Sequence, residues 1–464
     1  LPNQKIFQQI IDPIQKELSE KPRVAARYGG AEGLHNRAME YLGGFYTQFN
    51  ENLYVSFARQ CRETLFPTLF TMIQSHELIP GTIDMIKGPL ASGPVVFNPN
   101  HDSNLDAMMH GIFFNQSGIN HPKITAGANL CKASDGSADP EVTATLKALN
   151  AVVVDRTLLA RDLLYLKLFK EYYLHTLRSG ENHCFYIESG RSYSGSIKVG
   201  AVSAMLNWTL ETGLPLLSVV PVGVSYTRIF EDRKLFRCHA TGEKMAETNL
   251  MKEFATGSAV LGTNSPVHLT VAPPILIRRI GEKVLLDPLS APLALTEDID
   301  LETAMEISLA EVKEMNSAFT QPGQTLHDMV YEGMLSARPV LAHYVVSRAI
   351  SDALKKQEDL NPVFDTEEKA TDKADDTESS KPVNLPLNII EANVQNLLEK
   401  LTEMGRNCRF SDSSICLKEG IGTLIAFGAI AMNEIGKTEY PDMIDVLDPN
   451  LCTFYGNKVP LFEP

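Results

Sequence analysis

The rhythm of apolar and polar positions changes twice along the 464-residue chain. Over residues 1–88 the apolar positions recur at helical spacing. Ile6, Ile10, Ile11 and Ile14 share one face, which predicts an amphipathic helix bent at Pro13. Leu34, Met39, Leu42, Phe45 and Tyr46 predict a second helix over about 31–57, and a third is expected over 57–76 with Pro67 inside it. From Gly88 to Ala272 the pattern alternates. Val95–Phe97, Ile124–Ala126, Ala151–Val154, Cys184–Ile187, Leu216–Ser225 and His268–Ala272 read as strands. Between them, 103–115, 140–149, 158–179 and 199–212 read as helices. Several of the strand runs are apolar throughout, as strands covered on both faces are. This alternation predicts an α/β fold with a central, mostly parallel sheet flanked by helices.

Helical spacing returns at 300–318 and 336–357, and the composition then breaks. Asp, Glu, Lys, Ser and Thr dominate from Lys356 to Lys381, the mark of a flexible linker. Beyond it, Ile389, Ile390, Val394, Leu397, Leu398 and Leu401 predict an amphipathic helix over Leu387–Met404. The expected organisation is an N-terminal helical region at 1–88, an α/β domain at 89–345 and a mainly helical C-terminal region at 346–464. The acidic linker falls at about 356–383.

Charge and cysteine usage narrow the classes. A formal charge of −15 argues against nucleic acid, whose phosphates need clustered Lys and Arg, but leaves room for a local basic pocket. The seven cysteines are scattered, and none has the spacing of a zinc site, so a metal is not expected and a reducing compartment is. No window of about 18 apolar residues predicts a membrane-spanning helix. Ile421–Met432 is too short for one and reads as a buried helix. The chain starts at Leu1 rather than Met, so an upstream segment is allowed for.

Candidate chemistry gathers where predicted strands end, the edge at which α/β sheets place their ligands. The stretch 93–114 reads as strand, tight turn and helix, with Asn98, Pro99 and Asn100 breaking the strand. His101 stands at the turn and Asp106 in the first helical turn. An imidazole there, beside a helix N-terminus, suits chemistry on an anionic substrate. Ser103-x-x-Asp106 is also a capping box by type and spacing, so helix capping competes with catalysis for Asp106. A second strand ends on Asp155-Arg156, and a third ends on Glu188 and enters Ser189-Gly190-Arg191-Ser192-Tyr193-Ser194-Gly195. The fourth block is Pro221-Val-Gly-Val-Ser-Tyr226. Glu188 could contact substrate or only pair Arg191 and hold the loop. Arg156 could be an ordinary surface residue. His110 reads as a packed helix histidine and Trp208 as core. Gly190-Arg-Ser192-Tyr-Ser194-Gly195 lacks the spacing of a hydrolase nucleophile elbow.

In this order and spacing the four blocks resemble the glycerol-phosphate acyltransferases. The resemblance covers about residues 88–280 and is strongest to the branch of bacterial and mitochondrial glycerol-3-phosphate acyltransferases and peroxisomal dihydroxyacetone-phosphate acyltransferases. His101 and Asp106 match its His-x4-Asp block, and Arg156 its second. Glu188, Arg191, Ser192 and Gly195 match its third, with Gly190 at the variable position and Lys198 as the downstream basic residue. Ser189 stands where the family has glycine, and Tyr193 where it often has a second arginine.

The resemblance implies transfer of a fatty acyl group from acyl-CoA or acyl carrier protein to the sn-1 hydroxyl of glycerol 3-phosphate, giving lysophosphatidate, with no cofactor. Dihydroxyacetone phosphate or lysophosphatidate is the alternative acceptor, and an inactive lipid-binding scaffold is the rival of another class. It implies His101 as general base oriented by Asp106. Arg156, Arg191, Ser192 and Lys198 would hold the phosphate, supported by Glu188 and Gly190. It also implies peripheral or monotopic attachment to a membrane, in a mitochondrion, endoplasmic reticulum, peroxisome, plastid or bacterium.

Overall fold

The continuous apolar runs become the centre of one sheet. The computed structural model describes residues 4–60, 63, 82–132, 137, 139–188, 190–197, 203–243, 266–281, 283–289, 322–360, 382–408, 410, 412–432 and 443–461. Lys198, the helix predicted at 300–318, most of the one at 57–76 and the linker stretch 361–381 lie outside them. The described chain divides into two compact units. The first holds Leu1–Gly190, Val199–Val224 and Ala246–Met334, and the second Arg191–Lys198, Ser225–Met245 and Leu335–Pro464.

Helices α1 (Gln4–Ser19), α2 (Pro22–Arg27), α3 (Gly30–Phe45), α4 (Glu51–Gln60) and α5 (Thr82–Ser92) open the chain. Alternation follows: β1 (Val95–Pro99), α6 (Asp106–Gln116), β2 (Lys123–Gly127), α7 (Pro140–Ala148), β3 (Ala151–Val154), α8 (Arg156–Arg161), α9 (Leu163–Arg178), β4 (His183–Cys184), α10 (Ala204–Leu210) and β5 (Leu216–Tyr226). Next come α11 (Asp232–Thr241), β6 (Val267–Val271), β7 (Ile275–Ile280), β8 (Lys283–Pro288), α12 (Pro322–Ala337) and α13 (Ala342–Leu360). The C-terminal part adds β9 (Val383–Pro386), α14 (Leu387–Glu403), α15 (Ser413–Ala426), β10 (Ile430–Met432), β11 (Met443–Val446) and α16 (Pro449–Gly456).

The main sheet has the order β3-β2-β4-β1-β5-β7-β8, with β6 also paired to β5. The five strands from β3 to β5 are parallel, and β7 and β8 continue antiparallel. The mostly parallel α/β sheet expected from the alternation is therefore present. Every residue of β1 and β5 is buried, which explains their lack of polar alternation. Within the first unit, α1, α3 and α9 pack together. The Phe45 ring lies 4.8 Å from Tyr165 and 5.4 Å from Phe169. Trp208 is core, as expected, with its ring 5.8 Å from Phe169.

Several boundaries differ from expectation for identifiable reasons. The helix predicted at 31–57 stops at Phe45, and α4 restarts after Asn50, whose side chain accepts the Leu53 N–H. The helix predicted at 158–179 splits at Asp162, which caps α9 and also accepts the Tyr28 and Tyr41 hydroxyls. Helix α1 runs on through Pro13. Ile421–Met432 is not one buried helix: α15 ends at Ala426 with Ile425 exposed, and a strand follows. That strand belongs to a small antiparallel sheet, β10-β11-β9, so the C-terminal region is not purely helical. In the second unit, α13 packs against α14, α15 and α16, with the Tyr344 and Tyr455 rings stacked at 5.9 Å.

Candidate active site

The site begins where β1 leaves the sheet. β1 is central, flanked by β4 and β5, and carries the chain to Pro99 rather than breaking at Asn98. Buried side-chain amides extend its pairing. Asn98 Nδ2 donates to the Phe185 carbonyl at 3.0 Å. Asn100 Nδ2 donates to the Val224 carbonyl at 3.1 Å while its Oδ1 accepts the Val224 N–H at 2.7 Å. Asn100 therefore imitates one more residue of ladder against β5. Pro99 fits because β4 has already ended on the side to which its missing donor would point.

The bonds to Phe185 and beyond also explain why β4 is only two residues long, although Cys184–Ile187 looks uniform in sequence. After Cys184 the chain turns, and Glu188 accepts the His101 backbone N–H through its carboxylate at 2.6 Å. Glu188 is buried and holds the histidine's main chain.

His101 is gripped on two sides. Its Nδ1 donates to Asp106 Oδ2 at 2.8 Å, and its ring lies on that of Tyr186, centroids 4.1 Å apart and planes 20° from parallel. With Nδ1 protonated, Nε2 carries the lone pair, and no described residue takes it. The His101 side chain keeps 18% of its exposure, whereas that of Asp106 keeps none. The same Asp106 oxygen accepts the Asp102 N–H at 2.7 Å and the Ser103 N–H at 3.0 Å. Ser103 Oγ accepts the Leu105 N–H, so α6 begins at Asp106 rather than at 103. An imidazole with its inner nitrogen on a buried carboxylate and its outer nitrogen open can remove a proton from a hydroxyl.

Arg156 stands at the same carboxyl edge of the sheet, directly after β3 and one residue past Asp155, which caps α8. It is exposed and makes no ion pair with a described residue. Three strand steps separate β3 from β1, about 14 Å. Gly190 closes the first unit's part of the loop at φ +146°, a conformation that other residues rarely adopt.

In the second unit, Arg191 Nη1 donates to the buried Glu231 carboxylate at 2.8 Å. Ser192 is buried, and its Oγ accepts the Gly195 N–H at 3.0 Å. The pairing of Glu231, forty residues away, with Arg191 had no signal in the sequence.

His110 is a packed helix histidine, as expected, whereas Tyr186 beside His101 had gone unrecognised. Tyr186 is the stacking partner, and its hydroxyl lies 3.1 Å from Nδ1 of His110, which has no exposed surface. Burial pushes the His110 pKa down to about 4. Burial first, and then the Asp106 charge, pushes the Tyr186 phenol well above its ordinary value. Both rings are therefore neutral around His101. The available signal was spacing, since His110 is one helical turn beyond Asp106.

Comparison with known proteins points to the same family as the resemblance. Residues 75–225 match the family model described as Acyltransferase. Mitochondrial glycerol-3-phosphate acyltransferase 1 of Rattus norvegicus is 25% identical over 272 residues, 54% of this chain and 31% of that protein. The Mus musculus protein of the same name is 26% identical over 249 residues, 50% of this chain and 28% of that one. Glycerol-3-phosphate acyltransferase of Pseudomonas putida (strain W619) is 28% identical over 155 residues, 32% of this chain and 18% of that one. The chain spans under a third of the length of these curated relatives. A crystal structure of the 1-acyl-sn-glycerophosphate (LPA) acyltransferase from Thermotoga maritima is similar over 58% of this chain and 96% of that one, at 14% identity and a TM-score of 0.23.

Proposed function

We propose that the protein acylates the sn-1 hydroxyl of glycerol 3-phosphate, using acyl-CoA or acyl carrier protein as donor, a reading supported by the match of residues 75–225 to the family model described as Acyltransferase. The observation that carries this reading is His101, held by Asp106 at Nδ1 with Nε2 open. Nε2 takes the proton of the acceptor hydroxyl as its oxygen attacks the thioester carbonyl. The carbon–sulfur bond breaks, the imidazolium returns the proton to the departing thiolate, and no acyl-enzyme forms. Asp106 stabilises the imidazolium meanwhile. The names of the relatives favour glycerol 3-phosphate over other acceptors.

Arg156 and Arg191 are the proposed phosphate ligands, since a guanidinium fork suits phosphate oxygens. Ser192 and Lys198 are proposed as further phosphate-binding residues. Ser192 would act through the backbone turn that its Oγ holds, and Gly190 is the proposed support ahead of the arginine. No described helix is long and apolar enough to cross a membrane. Peripheral attachment to a membrane is proposed from the amphiphilic product and acyl donor.

The test is thiol release from acyl-CoA with glycerol 3-phosphate, dihydroxyacetone phosphate or lysophosphatidate, in wild type and His101→Ala. Glycerol 3-phosphate should be the best acceptor, and His101→Ala should abolish turnover with all three. Equal thioester consumption by both proteins would sink the catalytic reading. Preference for another acceptor would move the substrate assignment. Arg156→Ala is expected to raise the acceptor KM far more than the acyl-CoA KM, and unchanged constants would move the phosphate site elsewhere.

A further inference from the structure

We propose that His110 and Tyr186 are a positioning pair for His101: His110 holds the Tyr186 hydroxyl, and the Tyr186 ring is the fixed face on which the His101 imidazole lies. The inference rests on the reading of His101 as the base.

Helix α6 carries both anchors. Asp106 grips the edge of the imidazole at 2.8 Å, and His110, one turn further on the same helix face, grips Tyr186 at 3.1 Å. The Tyr186 ring then covers the imidazole at a centroid distance of 4.1 Å. Edge and face contacts together fix the direction of the Nε2 lone pair, on which proton transfer from a bound hydroxyl depends.

The buried histidine is otherwise hard to account for. It has no exposed surface, and its Nε2 meets no hydrogen-bonding partner among the described residues. An apolar side chain would enter that place with less desolvation. The bond to Tyr186 is what the imidazole supplies. Burial keeps His110 neutral at physiological pH, so it acts as a fixed dipole and not as a proton carrier. The face of the Tyr186 ring attracts the imidazolium that His101 becomes on taking the proton. The other ionisable groups around His101 are Asp106 at its edge, Glu188 on its backbone N–H and Asp102 beside it in the turn.

The test compares Tyr186→Leu, Tyr186→Phe, His110→Leu and the Tyr186→Phe/His110→Leu double variant. Tyr186→Leu should lower kcat about 3- to 30-fold with both KM values nearly unchanged. Tyr186→Phe keeps the stacked ring but loses the bond to His110, so it should recover only part of that loss. The double variant should be no slower than the slower single one, because both remove one link. A readout independent of activity is the 15N signal of the His101 ring in histidine-labelled protein, assigned with His101→Gln. Wild type should show one tautomer protonated at Nδ1, and Tyr186→Leu a mixture or a broadened signal. The inference is overturned if Tyr186→Leu leaves both kcat and the His101 signals as in wild type, or if the losses in the double variant multiply. If wild type transfers no acyl group while the His101 signals respond to Tyr186→Leu, the positioning pair stands and the acyl-transfer reading falls.

Discussion

Replacing Asp106 by Asn separates the two roles of that carboxylate. The side chain is fully buried, and one oxygen, Oδ2, accepts from His101 Nδ1, Asp102 N and Ser103 N. An asparagine amide oxygen in the same place can accept all three bonds, so the turn should persist. What disappears is the charge. With Nδ1 and Oδ2 2.8 Å apart, the charge centres of imidazolium and carboxylate lie about 4 Å apart. At an effective dielectric of about 20 their attraction is roughly 4 kcal/mol. His101 carries the positive charge only after taking the hydroxyl proton, so the attraction stabilises the transition state selectively. The expected fall in kcat is about 1,000-fold. The acyl-CoA KM should stay within a few-fold, and Tm within a few degrees. Asp106→Ala should behave differently, because it also leaves two buried backbone N–H groups without this acceptor, at roughly 2–5 kcal/mol of stability. The assay is initial-rate thiol release, beside thermal unfolding of both variants. A fall in kcat of less than about tenfold for Asp106→Asn, in a protein with wild-type Tm, would refute the electrostatic role.

Three further expectations follow from the same geometry. Asn100→Ala removes both side-chain bonds to the Val224 backbone, and urea unfolding should show a loss of about 2–4 kcal/mol; a loss below about 1 kcal/mol would mean that the amide does not extend the sheet. Gly190→Ala meets no atom within 4 Å but must adopt φ +146°, so it should lose about 1–3 kcal/mol through backbone strain alone, and an unchanged urea midpoint would contradict that. Acid should destabilise the fold, because burial holds His110 and His121 at about 4 and His183 at about 3, below the ordinary 6.5. The unfolded chain then takes up protons first as pH falls through 6.5, so stability is full above that value and is lost towards the folded values, by about 1 kcal/mol per pH unit for each histidine. In urea titrations from pH 7 to 5, His110→Leu should show a shallower slope than wild type, and an identical slope would mean that His110 is not buried neutral.

The parallel half of the main sheet was legible because burial on both faces leaves a signature that survives without an alignment: Val95–Phe97 and Leu216–Ser225 are apolar at almost every position. The ends of strands were not, because apolar character does not distinguish a residue paired in a ladder from one whose backbone is taken by a side chain. Phe185–Ile187 is as apolar as a strand, yet the Phe185 carbonyl is held by Asn98. The strands β7 and β8 passed unseen because they fall beyond the alternating region, and β9 to β11 because three or four residues make too short a pattern. Asn98 and Asn100 were read as strand breakers, since a polar residue in sequence carries no sign of whether its amide will bond to water or to the next strand.

The hardest question in the sequence was whether Asp106 caps a helix or serves a catalytic histidine, and the geometry shows why spacing could not decide it. Oδ2 accepts two N–H groups of the turn and the imidazole N–H together. These turn bonds hold the carboxylate rigid ahead of a helix whose N-cap is Leu105, and a rigid carboxylate is what orients His101. A Ser-x-x-Asp spacing and a His-x4-Asp spacing that share one aspartate are thus two descriptions of one hydrogen-bonded turn. Support for the second reading lay outside the stretch, in Glu188, which holds the His101 backbone from the turn after β4, and in Tyr186, which covers its ring. A helix cap requires neither contact, whereas an imidazole that must present one nitrogen in one direction benefits from both.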